Sequence, residues 1–146
     1  MQLLRSLFVL TVASFCAASA LPDISNLTYE DLQKRAVQCE TSGGSPSTAD
    51  AIRAAQHIRD IDVHADPGHT ECCQNNQGGS LCTTMYCTGS ACVGICSQGA
   101  LQFPGCMLCN EAGNGLLDIA NRCSSGGKSG GRADAPYNLH LILFHS

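Results

Sequence analysis

Cysteine dominates the chemistry this chain could carry: 11 of its 146 residues. Ten follow position 36, namely Cys39, Cys72, Cys73, Cys82, Cys87, Cys92, Cys96, Cys106, Cys109 and Cys123. Cys106-Met107-Leu108-Cys109 is a C-x-x-C pair, and Cys92 and Cys96 precede it at C-x3-C spacing. Thiolates spaced in this way can close a tetrahedral zinc site. A C-x-x-C pair at a helix start can also be a redox dithiol, provided its thiol is acidified. In an exported chain an even count of cysteines reads instead as a disulfide framework, here five bridges with no metal and no cofactor. Cys72 and Cys73 are neighbours and take different partners, but spacing alone leaves roughly 945 connectivities open.

A second cluster joins His64, Asp66 and His69 to Asp60 and Asp62. Imidazole and carboxylate in one loop could ligate a metal or exchange protons. No regular element fixes the geometry of the stretch between the first helix and Cys72, so the expectation is a solvated acidic loop. His140 and His145 are an odd number of residues apart on one strand and point to opposite faces. Ribonuclease chemistry wants two acid–base groups and a cationic stabiliser. Past residue 35 the chain offers Arg53, Arg59, Arg122, Lys128 and Arg132 against nine carboxylates. A formal charge of −4 and a pI near 5.6 argue against a phosphate-backbone partner, so no nucleic acid is expected. No catalytic residues are assigned.

The compartment follows from the N-terminus. Arg5, the apolar stretch Leu7 to Ala17 and the small residues Ala18-Ser19-Ala20 form a secretory signal cut after Ala20, which removes Cys16. Residues 21–35 carry no cysteine or glycine and end in Lys34-Arg35, the mark of a pro-segment cut after Arg35. The only N-x-S/T sequon, at Asn26, lies on that discarded piece. No later apolar run reaches about 18 residues, so no transmembrane segment is expected. The organisation is therefore 1–20 signal peptide, 21–35 pro-segment and 36–146 mature cysteine-rich domain, secreted and extracellular.

The elements that must position these residues are short. A first helix is predicted over 46–62, capped by Ser47 or Thr48, with Asp50 in its first turn. Ala51, Ala55, Ile58 and Ile61 make its apolar face, and Arg53, Gln56, Arg59 and Asp60 its polar one. Strands are predicted over 81–88 and 91–97, joined by Gly89-Ser90, with Ala91, Val93 and Ile95 on one face and Cys92, Gly94 and Cys96 on the other. Residues 98–105 read as a loop. A second helix is predicted within 106–123, its first half weakened by Gly113 and Gly115, so that it begins properly near Asn114. The last strand, 137–145, sets Leu139, Leu141 and Leu143 against Ile142 and Phe144. With a short strand at 36–40 the order is β-α-β-β-α-β. The predicted fold class is α+β: a small disulfide-rich two-layer sandwich in the ferredoxin-like order, two helices on an antiparallel sheet.

Cys39-Glu40-Thr41-Ser42-Gly43-Gly44-Ser45-Pro46 followed by an Ala/Ile helix resembles small secreted cysteine-rich proteins of filamentous fungi. The resemblance continues through Cys82-Thr83, the strand 91–96, the helix closing on Cys123, and the glycine run before an apolar C-terminal strand. It is to the killer-toxin-like proteins and candidate effectors, and it implies a disulfide-bonded α/β sandwich with a pro-segment ending in Lys-Arg. The cysteine-dense middle, Cys72 to Cys109, departs from that pattern, and the family supplies no catalytic residues. The expected function is non-enzymatic: an effector binding a protein, glycan or membrane component of a host or competitor, as monomer or dimer. An antimicrobial killer-type toxin and a small secreted hydrolase using His64, His69 or His140 are the alternatives. The loop 60–71 and the strand 137–145 are the expected contact regions.

Overall fold

The computed structural model describes residues 36–61, 70–76, 78–98 and 105–146. Within them run β1 (Val37–Cys39), α1 (Thr48–Asp60), β2 (Glu71–Gln74), β3 (Cys82–Thr88), β4 (Ala91–Ser97), β5 (Gly105–Leu108), α2 (Cys109–Arg122), β6 (Gly131–Ala135) and β7 (Leu139–His145). Five strands form one antiparallel sheet in the order β1-β6-β7-β4-β3, and β2 pairs with β5 in a second, two-stranded sheet. The fold is α+β, with both helices packed on one face of the large sheet.

Alternation along the strands explains which face they cover. Val93, Ile95, Leu139, Leu141 and Leu143 are buried, while Ile142 and Phe144 on the opposite face stay half-exposed. Against them α1 packs Ala51, Ala54, Ala55 and Ile58, and α2 packs Ala112, Leu116, Ile119 and Ala120. The helix–helix seam is built from small residues. A Cβ at Gly113 would lie 2.3 Å from the Arg59 backbone nitrogen, so the two backbones meet there as only glycine permits.

The ferredoxin-like arrangement needs correction. Three strands were not expected: β2, β5 and β6. One split unit is present, since β4, α2 and β6 straddle β7. The first unit does not interleave with it in the same way: β1 lies at one edge of the sheet and β3 at the other, with three strands between. The hairpin partner β6 takes the place beside β7, and this confines the three-residue β1 to the edge.

Local boundaries also shift. The helix expected to begin near Asn114 begins at Cys109, because the Gly113 approach to α1 and the Cys72–Cys109 bridge outweigh a propensity cost of about 1 kcal/mol per glycine. Residues 105–108, expected as loop and helix, are β5. Tyr137 and Asn138 are not strand: both have positive φ, 61° and 55°, and form the turn between β6 and β7.

Five disulfides close the domain: Cys39–Cys123, Cys72–Cys109, Cys73–Cys106, Cys82–Cys96 and Cys87–Cys92. Three of them join residues directly opposite on paired strands. The first sews β1 to the end of α2, and the second ties the small sheet to the start of the same helix. Cys72 and Cys73 do take different partners. The signal, the pro-segment, Ala20, Asn26, Lys34 and Arg35 lie outside the described residues.

Candidate functional site

On α1, Arg53, Gln56, His57 and Asp60 follow the i, i+3, i+4, i+7 spacing that lines one helix face. Opposite them runs β3, an edge strand of the large sheet. Its Tyr86 and Thr88 turn toward the helix, being paired with the inward-facing Val93 and Ala91. Together with Ile61 these side chains bound an open groove of about 430 Å³. The His57 imidazole stacks on the Tyr86 ring with centroids 3.8 Å apart and planes inclined by 19°.

A β-bulge aims Tyr86 into this groove. The β3–β4 register slips between Thr84 and Tyr86, so Met85 is the extra residue. Without the slip, Tyr86 would share the outward face with Thr84, since a one-residue shift reverses every later side chain. The same slip returns Cys87 to the outward face that carries Cys82. Both cysteines then lie directly across from their partners, Cys92 and Cys96. Cys87 sits between Tyr86 and Thr88, and its bridge pins that wall to the central strand β4.

The helical wall is held as firmly. Ser47 caps α1, its hydroxyl accepting the Asp50 backbone N–H at 3.1 Å. Asp50 Oδ2 accepts the Ser90 backbone N–H at 2.9 Å and the Ser90 hydroxyl at 2.7 Å. The Ser47 backbone N–H donates to Ser90 Oγ at 2.9 Å, which closes the circuit. This clamp ties the helix start to the β3–β4 turn. The Ser90 backbone N–H, then the Ser90 and Ser47 hydroxyls, hold the Asp50 carboxyl well below the usual carboxylate range, and the Arg53 charge adds to them. Arg53 pairs with Asp50 while its side chain stays 64% exposed. Further along the helix, Arg59 donates two bonds to Asp60, at 2.7 and 3.1 Å. That contact lowers the Asp60 pKa and raises that of Arg59.

The residues singled out from the sequence are scattered by comparison. His64, Asp66, His69 and Asp62 lie outside the described residues. The four cysteines of the zinc reading go to four separate partners: Cys92 to Cys87, Cys96 to Cys82, Cys106 to Cys73 and Cys109 to Cys72. Cys106 and Cys109 do not form a dithiol pair with each other. Two clusters still bring metal-type donors within 4.8 Å, Cys82 with Cys96 and His140, and Cys73 with Cys106 and Glu71. Their sulfurs are committed to disulfides and offer no thiolate. His140 lies on the outward face of β7, opposite Cys96 and Asp134. Desolvation, then the Arg132 charge, lower its pKa, with Asp134 acting in the opposite sense. Its Nδ1 is buried without a partner among the described residues. His145 is exposed beside the terminal Ser146, remote in register from His140.

His57, Tyr86 and Thr88 were not anticipated, although one signal for them exists. Cys82 and Cys87 are five residues apart, while Cys92 and Cys96 are four apart. Two cross-strand bridges on one face of a hairpin require equal spacing unless one strand bulges. Once Cys82 is known to pair with Cys96 and Cys87 with Cys92, the mismatch locates an extra residue between Cys82 and Cys87. Comparison with protein families and with curated proteins finds no match for this chain.

Proposed function

We propose that the protein is a secreted binding protein without catalytic activity, acting on an extracellular component of a host or competitor in the manner of the killer-toxin-like effectors it resembles. The observation that carries this reading is the bracing of the α1–β3 groove on both walls, by the Cys87–Cys92 bridge and by the Ser47–Asp50–Ser90 clamp. A surface ordered before contact loses less entropy on binding, so such bracing favours recognition. Five disulfides belong to an oxidising compartment. Among the described residues no helix is long and apolar enough to cross a membrane. Cleavage after Arg35 would leave the sheet whole, because β1 begins at Val37.

A glycoside hydrolase uses two carboxylates, one of them protonated. Among the described residues Asp60 is the one carboxylate lining the groove, and Arg59 favours its ionised form, which supports a binding role. The test uses the purified mature protein, applied to plant tissue and to competing fungi. A response, whether cell death, altered defence or growth arrest, should vanish in His57→Ala/Tyr86→Ala while the five bridges stay intact by mass. An undiminished response from that variant refutes the groove as the acting surface. Turnover of a substrate by the wild-type protein refutes the non-enzymatic reading.

A further inference from the structure

We infer that the α1–β3 groove is a subsite for a neutral saccharide, one or two pyranose units of an extracellular polysaccharide. The inference rests on the binding reading above and specifies its ligand. Charge narrows the choice first. The groove's cation, Arg53, is paired with Asp50, and its anion, Asp60, is paired with Arg59. Among the described residues neither sign is in excess, so none of them concentrates a phosphate, a polyanion or a basic peptide.

The remaining lining matches the chemistry of a sugar. Gln56, Tyr86 and Thr88 each carry a group that both donates and accepts hydrogen bonds, as a sugar hydroxyl does. The stacked His57–Tyr86 pair supplies an aromatic platform, and Ile61 adds an apolar contact. A pyranose has an apolar face of C–H bonds and a rim of hydroxyls. Polarised C–H groups are attracted to the electron-rich face of an aromatic ring. The volume, about 430 Å³, lies at the lower end of ligand sites. The groove is open rather than enclosed, as a subsite on a longer polymer would be.

The experiment is a solution NMR titration of the mature, oxidised protein with neutral oligosaccharides derived from β-1,3-glucan, chitin, xylan and mannan. Oligogalacturonate and an uncharged, extended peptide serve as comparison ligands. At least one neutral oligosaccharide should shift the His57, Tyr86 and Thr88 resonances saturably. Tyr86→Ala should weaken that binding roughly tenfold or more, since truncating a stacked anchor removes most of its contact. Tyr86→Phe should keep most of the affinity. Gln56→Ala, on the exposed helix face, should weaken binding with the fold undisturbed, so a misfolded Tyr86 variant does not end the test. The saccharide inference is overturned if no neutral oligosaccharide moves the groove resonances, or if Tyr86→Ala and Gln56→Ala bind as tightly as wild type. Groove shifts with the peptide or oligogalacturonate alone overturn it too, yet leave the groove standing as a binding surface. Biological activity surviving in the groove variants removes the broader reading instead.

Discussion

Replacing Gly113 with alanine should destabilise the protein, although alanine is the better helix former by about 1 kcal/mol. A Cβ at this position would lie 2.3 Å from the Arg59 nitrogen, 2.4 Å from its Cα and 2.5 Å from its Cβ. Ordinary contact is 3.4–4 Å, and two of these three atoms are backbone that no rotamer change can move aside. The helices must therefore separate by about 1 Å, which loosens the seam of Ala54, Ala55, Ala112 and Leu116. Overpacking of this kind costs up to about 3 kcal/mol. Subtracting the propensity gain from that upper figure leaves a net loss of up to about 2 kcal/mol. Urea unfolding of the oxidised protein should show a midpoint lower by up to about 1 M, given slopes of roughly 1–3 kcal/mol/M for small proteins. Asn114→Ala, one residue on and exposed, isolates the propensity effect and should stabilise by about 0.5 kcal/mol. A Gly113→Ala protein as stable as wild type, or more so, would refute the close helix crossing.

Asp50 titrates below the ordinary carboxylate range in the folded state, so its contribution to stability is complete above that range. It fades as the pH falls from the unfolded-state carboxylate pKa toward the lower folded value. Asp50→Asn should therefore flatten the acid limb of the thermal stability profile, and an unchanged limb counts against the Ser47–Asp50–Ser90 clamp. Tyr137 is 77% exposed in a left-handed conformation that a bulky residue adopts only at a cost. Tyr137→Asn with Asn138→Gly, the favoured pair for such a turn, should stabilise by about 1 kcal/mol in urea; a loss would mean that Tyr137 makes contacts worth more than its strain. Cys39–Cys123 spans 84 residues, but the Cys72–Cys109 bridge shortens the loop it closes to roughly 50. Removing it as Cys39→Ser/Cys123→Ser should cost about 4 kcal/mol, against about 2 for the short Cys87–Cys92 loop. Equal losses in calorimetry would show that chain entropy does not govern these bridges.

Much of the local structure was legible residue by residue. The alternation of Ala91, Val93 and Ile95 with Cys92, Gly94 and Cys96 located β4 and the face it buries, because a strand has period two. Ser47 as a cap, and Ala51, Ala55 and Ile58 at helical spacing, marked α1. The boundaries that failed did so where distant contacts overruled local preference. Gly113 read as a weakness in α2 and proved to be the point of helix contact. Tyr137 and Asn138 read as strand and are held in a turn by the pairing of β6 with β7. Of the groove, Arg53, Gln56 and Asp60 were placed on the exposed side of α1, but nothing in α1 alone indicated what lies across from them.

The amino-acid order by itself determines the number of bridges, the separate partners of Cys72 and Cys73, the two helices and the inward face of each central strand. These follow from composition, adjacency and periodicity, which act within a few residues. Only the tertiary structure decided which cysteines meet, why β1 lies at an edge, and how Tyr86 comes to stack on His57. Each of those depends on strand register and on one extra residue at Met85, and register is set by packing between segments far apart in the chain.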